Sequence, residues 1–207
     1  MIAPRLPRAL VVLAYVTLVL GGGGLVRSVG RQMAPYLAGH DAFVAARRRE
    51  VEAISQWRGE AAAAETVQRA GDAAGERAWT RRWVNLPLGL AHLATSLLLL
   101  AGAMRTLARS AWGHSTWRFA AQVAIPYTLV AAAVAYVEAG DARVIYEALS
   151  SRLSLQVGVP VEILATYQVA GERLLDLAGA LCLCAFYGGT FLYLGKPTVR
   201  GLFPRSS

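Results

Sequence analysis

Four stretches of this chain carry no Asp, Glu, Lys or Arg for 18 residues or more: 9–26, 83–104, 119–137 and 177–195. The next longest uncharged stretches contain nine residues. A helix rises about 1.5 Å per residue and the hydrocarbon core of a bilayer is about 30 Å thick, so each of the four can cross it. Backbone groups in lipid find no partner outside their own segment, which forces such stretches to be helical. The sequence therefore predicts an all-α fold, an integral membrane bundle of four transmembrane helices, with spans at about 9–28, 84–104, 118–138 and 175–195. Only 16% of the 207 residues are charged, against about a quarter in a soluble domain.

The formal charge of +8 would suggest nucleic acid if it were spread along the chain, but its position argues for a membrane. The segments 1–8, 105–118 and 196–207 hold eight basic residues and no acidic one, whereas 27–82 and 138–176 hold thirteen of each. Short basic segments stay in the cytoplasm, where they meet anionic lipid headgroups. Both termini and the 105–118 hairpin are thus expected inside and the two longer segments outside. The arginines flanking the first two spans on the outer side, among them Arg27, Arg77 and Arg82, pull the other way. The 27–82 segment is near the length at which the rule loses force. Twenty of the 21 basic side chains are Arg, a bias that suggests a GC-rich bacterial gene and hence an inner-membrane location.

The first stretch also has signal-peptide features: Arg5 and Arg8, then an apolar core, then Gly21–Gly24. The apolar run continues through Leu25 and Val26, long enough to anchor, so it is read as a retained span with cleavage as the alternative. Its four glycines lack the Lys-Ser/Thr ending of a phosphate loop and are read as a packing groove.

Residues 29–83 and 139–174 are expected to form helical loops that together make an extracytoplasmic cap. Pro35 and Gly39 mark an entry turn, with His40-Asp41 capping a helix from Ala42. Phe43, Ile54 and Trp57 form a partial apolar stripe, and Gly59, Gly71 and Gly75 suggest breaks. Arg47-Arg48-Arg49 reads as a solvated face. Asp141 can cap a helix from Ala142 to about Leu155, Gly158-Val159-Pro160 breaks it, and Pro160 suits the first turn of a helix running on into the fourth span. The tryptophan pairs Trp79/Trp83 and Trp112/Trp117 are expected at opposite headgroup layers.

Two groups of side chains are candidate sites. His92, Thr95 and Ser96 share one face of the second span, and an ionisable group at membrane depth often marks an ion or proton path. The plainer reading is a neutral histidine bonded to a neighbouring helix. Glu138, Asp141, Glu172 and Asp176 gather near the outer ends of the third and fourth spans, where an acidic ring attracts cations at a pore mouth and where ordinary headgroup-level charges also sit. Cys182 and Cys184 lie about 200° apart on a helix and cannot share a metal. Cys184 lines up instead with Ala180 and Gly188 in a small-residue row.

The inventory excludes familiar chemistry. The exposed segments hold no cysteine for thiol exchange, His92 has no second histidine at membrane depth to share a haem, and no zinc, serine-nucleophile or Walker motif occurs. No catalytic residue, metal or cofactor is expected. The expected partners are the lipid bilayer and either a second protein or further copies of the chain, through small-residue helix faces. Two function classes follow: a non-enzymatic accessory subunit, scaffold or sensor, and, as the alternative, a small oligomeric channel or transporter with its path near His92.

Overall fold

The computed structural model describes residues 6–57 and 64–203, and every regular element among them is helical. In chain order these are α1 (Arg8–Arg27), a π-helical stretch (Ser28–Met33), α2 (Ala34–Leu37), α3 (His40–Trp57), α4 (Ala64–Thr80) and α5 (Arg82–Leu107). There follow α6 (Gly113–Asp141), α7 (Arg143–Leu149), α8 (Ser151–Val157), α9 (Val161–Gly195) and α10 (Pro197–Arg200). Helices α1, α5, α6 and α9 are long and apolar enough to cross a membrane, and they contain the four uncharged stretches.

Two of these helices overrun the apolar sequence that defines them. α6 has 29 residues and α9 has 35, lengths of roughly 44 and 52 Å at the helical rise. Nothing in the flanking sequence stops them. Gly158, in the left-handed conformation at φ 69°, ends α8, and Pro160 accepts the first backbone bonds of α9 from Ile163 and Leu164. From there the helix meets no proline before Lys196-Pro197. Asp141, expected to cap the next helix, is instead the last residue of α6, and the helical sequence after it divides into α7 and α8 at Ser150.

The chain divides into two compact units, and α5, α6 and α9 contribute residues to both. The first comprises Met1–Arg31, Leu88–Val130 and Ala180–Ser207. Its interior is built largely from small side chains: Ala14, Ala103, Ala120, Ala121 and Ala124 are buried, with Thr17, Thr106 and Thr190. Its exterior carries the large aliphatic ones, such as Val19 at 73% exposure and Leu192 at 70%. Small interior residues let backbones approach, which is how helices associate where hydrophobic burial supplies no drive. At Gly102 a Cβ would lie 2.5 Å from the Trp117 Cα, so α5 and α6 touch there backbone to backbone. The connection between them is tight, with Arg109 at φ 55° and the Ser110 N–H bonded to the Arg105 carbonyl at 2.9 Å.

That contact corrects the tryptophan reading. Trp117 is fully buried in the first unit's core, whereas Trp112 is 62% exposed. Trp79 likewise packs inward, its ring 5.6 Å from Phe43 and 6.0 Å from Tyr36, while Trp83 is exposed. In each pair one ring fills space between helices and one faces outward. Composition alone cannot separate the two.

The second unit comprises Gln32–Pro87 and Ala131–Gly179. Gly39, at φ 94°, supplies the turn into α3, which begins at His40. The buried apolar stripe of α3 is Phe43, Val44 and Val51, and Val67 and Ala70 are its buried counterparts on α4. Ile54 is exposed, and the Trp57 side chain and Gly59 lie outside the described residues. Gly71 and Gly75 do not break the chain as expected. They sit inside α4, where added Cβ atoms would lie 2.8 Å from the Arg48 Cα and 3.1 Å from the Val44 Cα. A glycine in a helix costs about 1 kcal/mol against alanine, and here the close approach of α3 offsets it. The Arg47–Arg49 run is less solvated than expected: Arg48 pairs with Asp72 at 2.7 Å, Arg47 with Glu50 at 2.8 Å, and Arg49 bonds the Ala45 carbonyl.

Candidate functional site

The polar face of α5 lies inside the first unit. Thr95 and Ser96 are buried, and His92 Nδ1 meets the Tyr127 hydroxyl of α6 at 2.5 Å with the rings tilted 5.1 Å apart. The other side of this face is closed by the glycine run of α1. A Cβ at Gly24 would lie 2.5 Å from Ser96 Oγ and 2.9 Å from His92 Nε2, and one at Gly21 would lie 3.2 Å from the Ser96 carbonyl. Gly22 and Gly23 face open space. Gly24 lies three positions after Gly21, about one turn, so both present bare backbone to the same face of α5. The glycines and the polar residues are therefore two halves of one contact. Tyr127 was missed in the sequence, where it stands beside Pro126 as one aromatic among several.

The small-residue row of α9 is partly realised. Ala180 is buried and Cys184 Sγ lies 4.0 Å from the Ile125 carbonyl, but Gly188 has nothing near it. The buried face runs instead through Tyr187, Thr190 and Leu194. Cys182 is exposed.

The four acidic residues all fall in the second unit, and three have separate partners. Glu138 accepts a hydrogen bond from the Asn85 amide at 2.8 Å. The same amide group donates to the Tyr36 hydroxyl at 3.0 Å, joining α2, α5 and α6. Burial pushes the Tyr36 phenol up, against the lowering effect of the Asn85 bond. Asp141 pairs with Arg81 at 2.5 Å, and Glu172 accepts from the Tyr146 hydroxyl at 2.8 Å. Asp176 is half-buried. Beside Glu172, Arg173 lies 4.3 Å over the Tyr136 ring and donates to the Tyr136 carbonyl at 3.1 Å, tying α9 to α6. Asn85 and Tyr36 were not singled out beforehand; an amide within the second uncharged stretch was the available signal.

These arrangements hold helices together. Charged and neutral hydrogen bonds of this kind contribute about 0.5–3 kcal/mol each in water-facing protein. Among the described residues no three His, Cys, Asp or Glu side chains assemble as a metal-binding group. No family model matches the chain, and neither does any curated protein or solved structure.

Proposed function

We propose that this chain is a four-span inner-membrane protein that works through protein contact, as an accessory subunit, scaffold or sensor. The observation that carries the reading is the composition of the first unit, whose interior is rich in alanine, glycine and threonine beside a few large side chains such as Leu10, Leu194 and Trp117, while many valines and leucines lie on its outside. In water that arrangement would expose the groups that drive folding; in hydrocarbon it leaves helix packing and hydrogen bonds such as those of Thr17 and Thr128 to hold the unit together. The charge distribution supports termini on the cytoplasmic side, with the helices of the second unit forming an extracytoplasmic cap. Cysteine-labelling from outside the cell should reach a probe placed at Gly39 and miss one at Ser110. The reverse pattern would invert the topology.

The role as a contact protein is supported by how the polar side chains are used. His92 is engaged by Tyr127, and Gly24 closes on His92 and Ser96, which favours packing over a path for ions. A tagged pull-down from native membranes in mild detergent, with native mass determination, tests the role. A stoichiometric second protein is the expected result. Solute flux through liposomes holding the purified chain alone, abolished by His92→Leu, would replace this reading with the channel.

A further inference from the structure

One cavity in the first unit has a chemistry that the helix-packing reading leaves unused. Its volume is about 610 Å3, and its walls include His114, Arg118 and Phe119 of α6, Phe191 of α9, and Arg200 of α10. Among the described residues, no acidic side chain lines it. Arg118 lies 4.4 Å over the Phe191 ring, and its Nε is buried without a hydrogen-bond partner. A buried N–H left unmade is costly, and a guanidinium fork is shaped for two oxygens of one phosphate. Arg200, which is exposed, adds a second cation to the lining of the same cavity. His114 is occupied, its ring bonded to the Leu194 carbonyl, so it shapes the wall.

The cavity is also aromatic. Phe119 is 56% exposed and Trp112 is 62% exposed, and both line it. A water-soluble phosphate would use the two arginines and leave these rings in water. A phospholipid would use both, with its phosphate on the arginines and its glycerol and upper acyl carbons along the rings. Trp112 is the kind of side chain that sits at headgroup depth. Arg105, Arg109 and Lys196 lie nearby in sequence, and no acid occurs anywhere in 105–118 or 196–207. This favours a lipid of net negative charge over a zwitterionic one.

We propose that this cavity is a binding site for one anionic phospholipid, its phosphate held by Arg118 and Arg200 and its apolar part laid against Phe119 and Trp112. The proposal rests on the reading that the four long helices cross a bilayer. Native mass spectrometry of the full-length detergent-purified chain, titrated separately with phosphatidylglycerol, phosphatidylcholine and inorganic phosphate, tests it. Phosphatidylglycerol should bind at one site about tenfold more tightly than phosphatidylcholine, a difference of about 1.4 kcal/mol. Arg118→Gln and Arg200→Gln should each remove most of that preference, while Arg118→Lys, keeping charge without the fork, should restore part of it. Should Arg118→Gln fail to fold, Arg200→Gln carries the test, since Arg200 is exposed. Equal binding of the two lipids, or a preference that survives both glutamine variants, would overturn the proposal. So would displacement of phosphatidylglycerol by inorganic phosphate, which would make the cavity a soluble-anion site. Alkaline carbonate extraction separates the two levels: release of the chain from membranes would overturn the bilayer reading. An integral chain without lipid preference would overturn only the site.

Discussion

α1 and α3 are nearly the same length, 20 and 18 residues, yet they are built by opposite rules. α1 buries Leu10, Ala14, Thr17 and Gly21 and exposes Val12, Val16, Val19 and Val26. α3 buries Phe43, Val44 and Val51 and exposes much of its charge, with ion pairs at Arg47–Glu50 and Arg48–Asp72. Those pairs are a third or more exposed, so screening leaves each worth about 0.5 kcal/mol or less. The burial of Phe43 and the valines does more, about 1.5–3 kcal/mol per large side chain in water. α1 gains little in that way if lipid surrounds it. Its stability comes from close backbone approach and from bonds such as the one between the Thr17 hydroxyl and the Leu13 carbonyl, 2.8 Å long. On the proposed topology the contrast between the helices is a contrast between two solvents.

The sharpest way to break that comparison is to place the same charge on the outer surface of each unit. Leu97 on α5 is 49% exposed and Ile54 on α3 is 37% exposed. If exposure means water in both, Leu97→Arg and Ile54→Arg should be equally harmless. If Leu97 faces hydrocarbon, arginine there should cost about 2.5–3.5 kcal/mol of membrane insertion, whereas Ile54→Arg should stay within about 0.5 kcal/mol. A glycosylation-based insertion assay reads the first, and thermal melting of the detergent-solubilised chain reads the second. Equal small effects would remove the lipid from the account.

The glycines sharpen the comparison next. Gly102→Val pushes a side chain into the Trp117 backbone and should cost about 2 kcal/mol, in the range of overpacking. Gly22→Val enters open space and should cost less than about 0.5 kcal/mol. Resistance to denaturation in mixed micelles ranks the two. A glycine run whose members were all equally sensitive would mean that flexibility, and not a one-sided contact, is what the run provides.

How much of this was legible beforehand follows the same division. The four apolar helices were readable because charge and length act over tens of residues, and no tertiary arrangement can make a buried Arg inexpensive. The start of α9 at Pro160 was readable because proline acts locally. Gly71 and Gly75 misled because a helix breaker by propensity is also the residue that admits a neighbouring backbone, and only the position of α3 decides between them. Trp117 misled for a related reason: an aromatic that suits headgroups also fills the space opposite a glycine, here Gly102. His92, Thr95 and Ser96 were found by helical spacing, but Tyr127 and Gly24, which define what that face does, are 35 and 68 residues away in sequence.

Matched bonds from the two units come third. Asn85 in the second unit supports Glu138, and Asn85→Leu leaves that carboxylate without this donor, at about 1.5 kcal/mol. His92 in the first unit meets Tyr127, and His92→Leu should cost about 0.6 kcal/mol, the average for such bonds within membranes. Thermal melting of each single variant in one detergent gives the order. A larger loss for His92 would mean that its bond is shielded in a way that ordinary membrane hydrogen bonds are not.

The smallest expected effect belongs to the second unit, where a histidine meets two carboxylates. His40 meets Asp41 at 2.9 Å and Glu76 of α4 at 3.0 Å, and its ring stands edge-on to Trp79 at 5.3 Å. The bond to Asp41, and then the one to Glu76, raises the imidazole above its ordinary value of 6.5. A raised value in the folded state means that folding takes up proton. The stabilisation is therefore complete below the unfolded value and is lost as pH rises through the folded one. Wild type should melt above His40→Gln at about pH 5.5, and the gap should close by about pH 8.5, two units beyond the unperturbed value. A gap that stays constant across that range would assign the role of His40 to packing against Trp79, and the hairpin of α3 and α4 would then owe nothing to its charge.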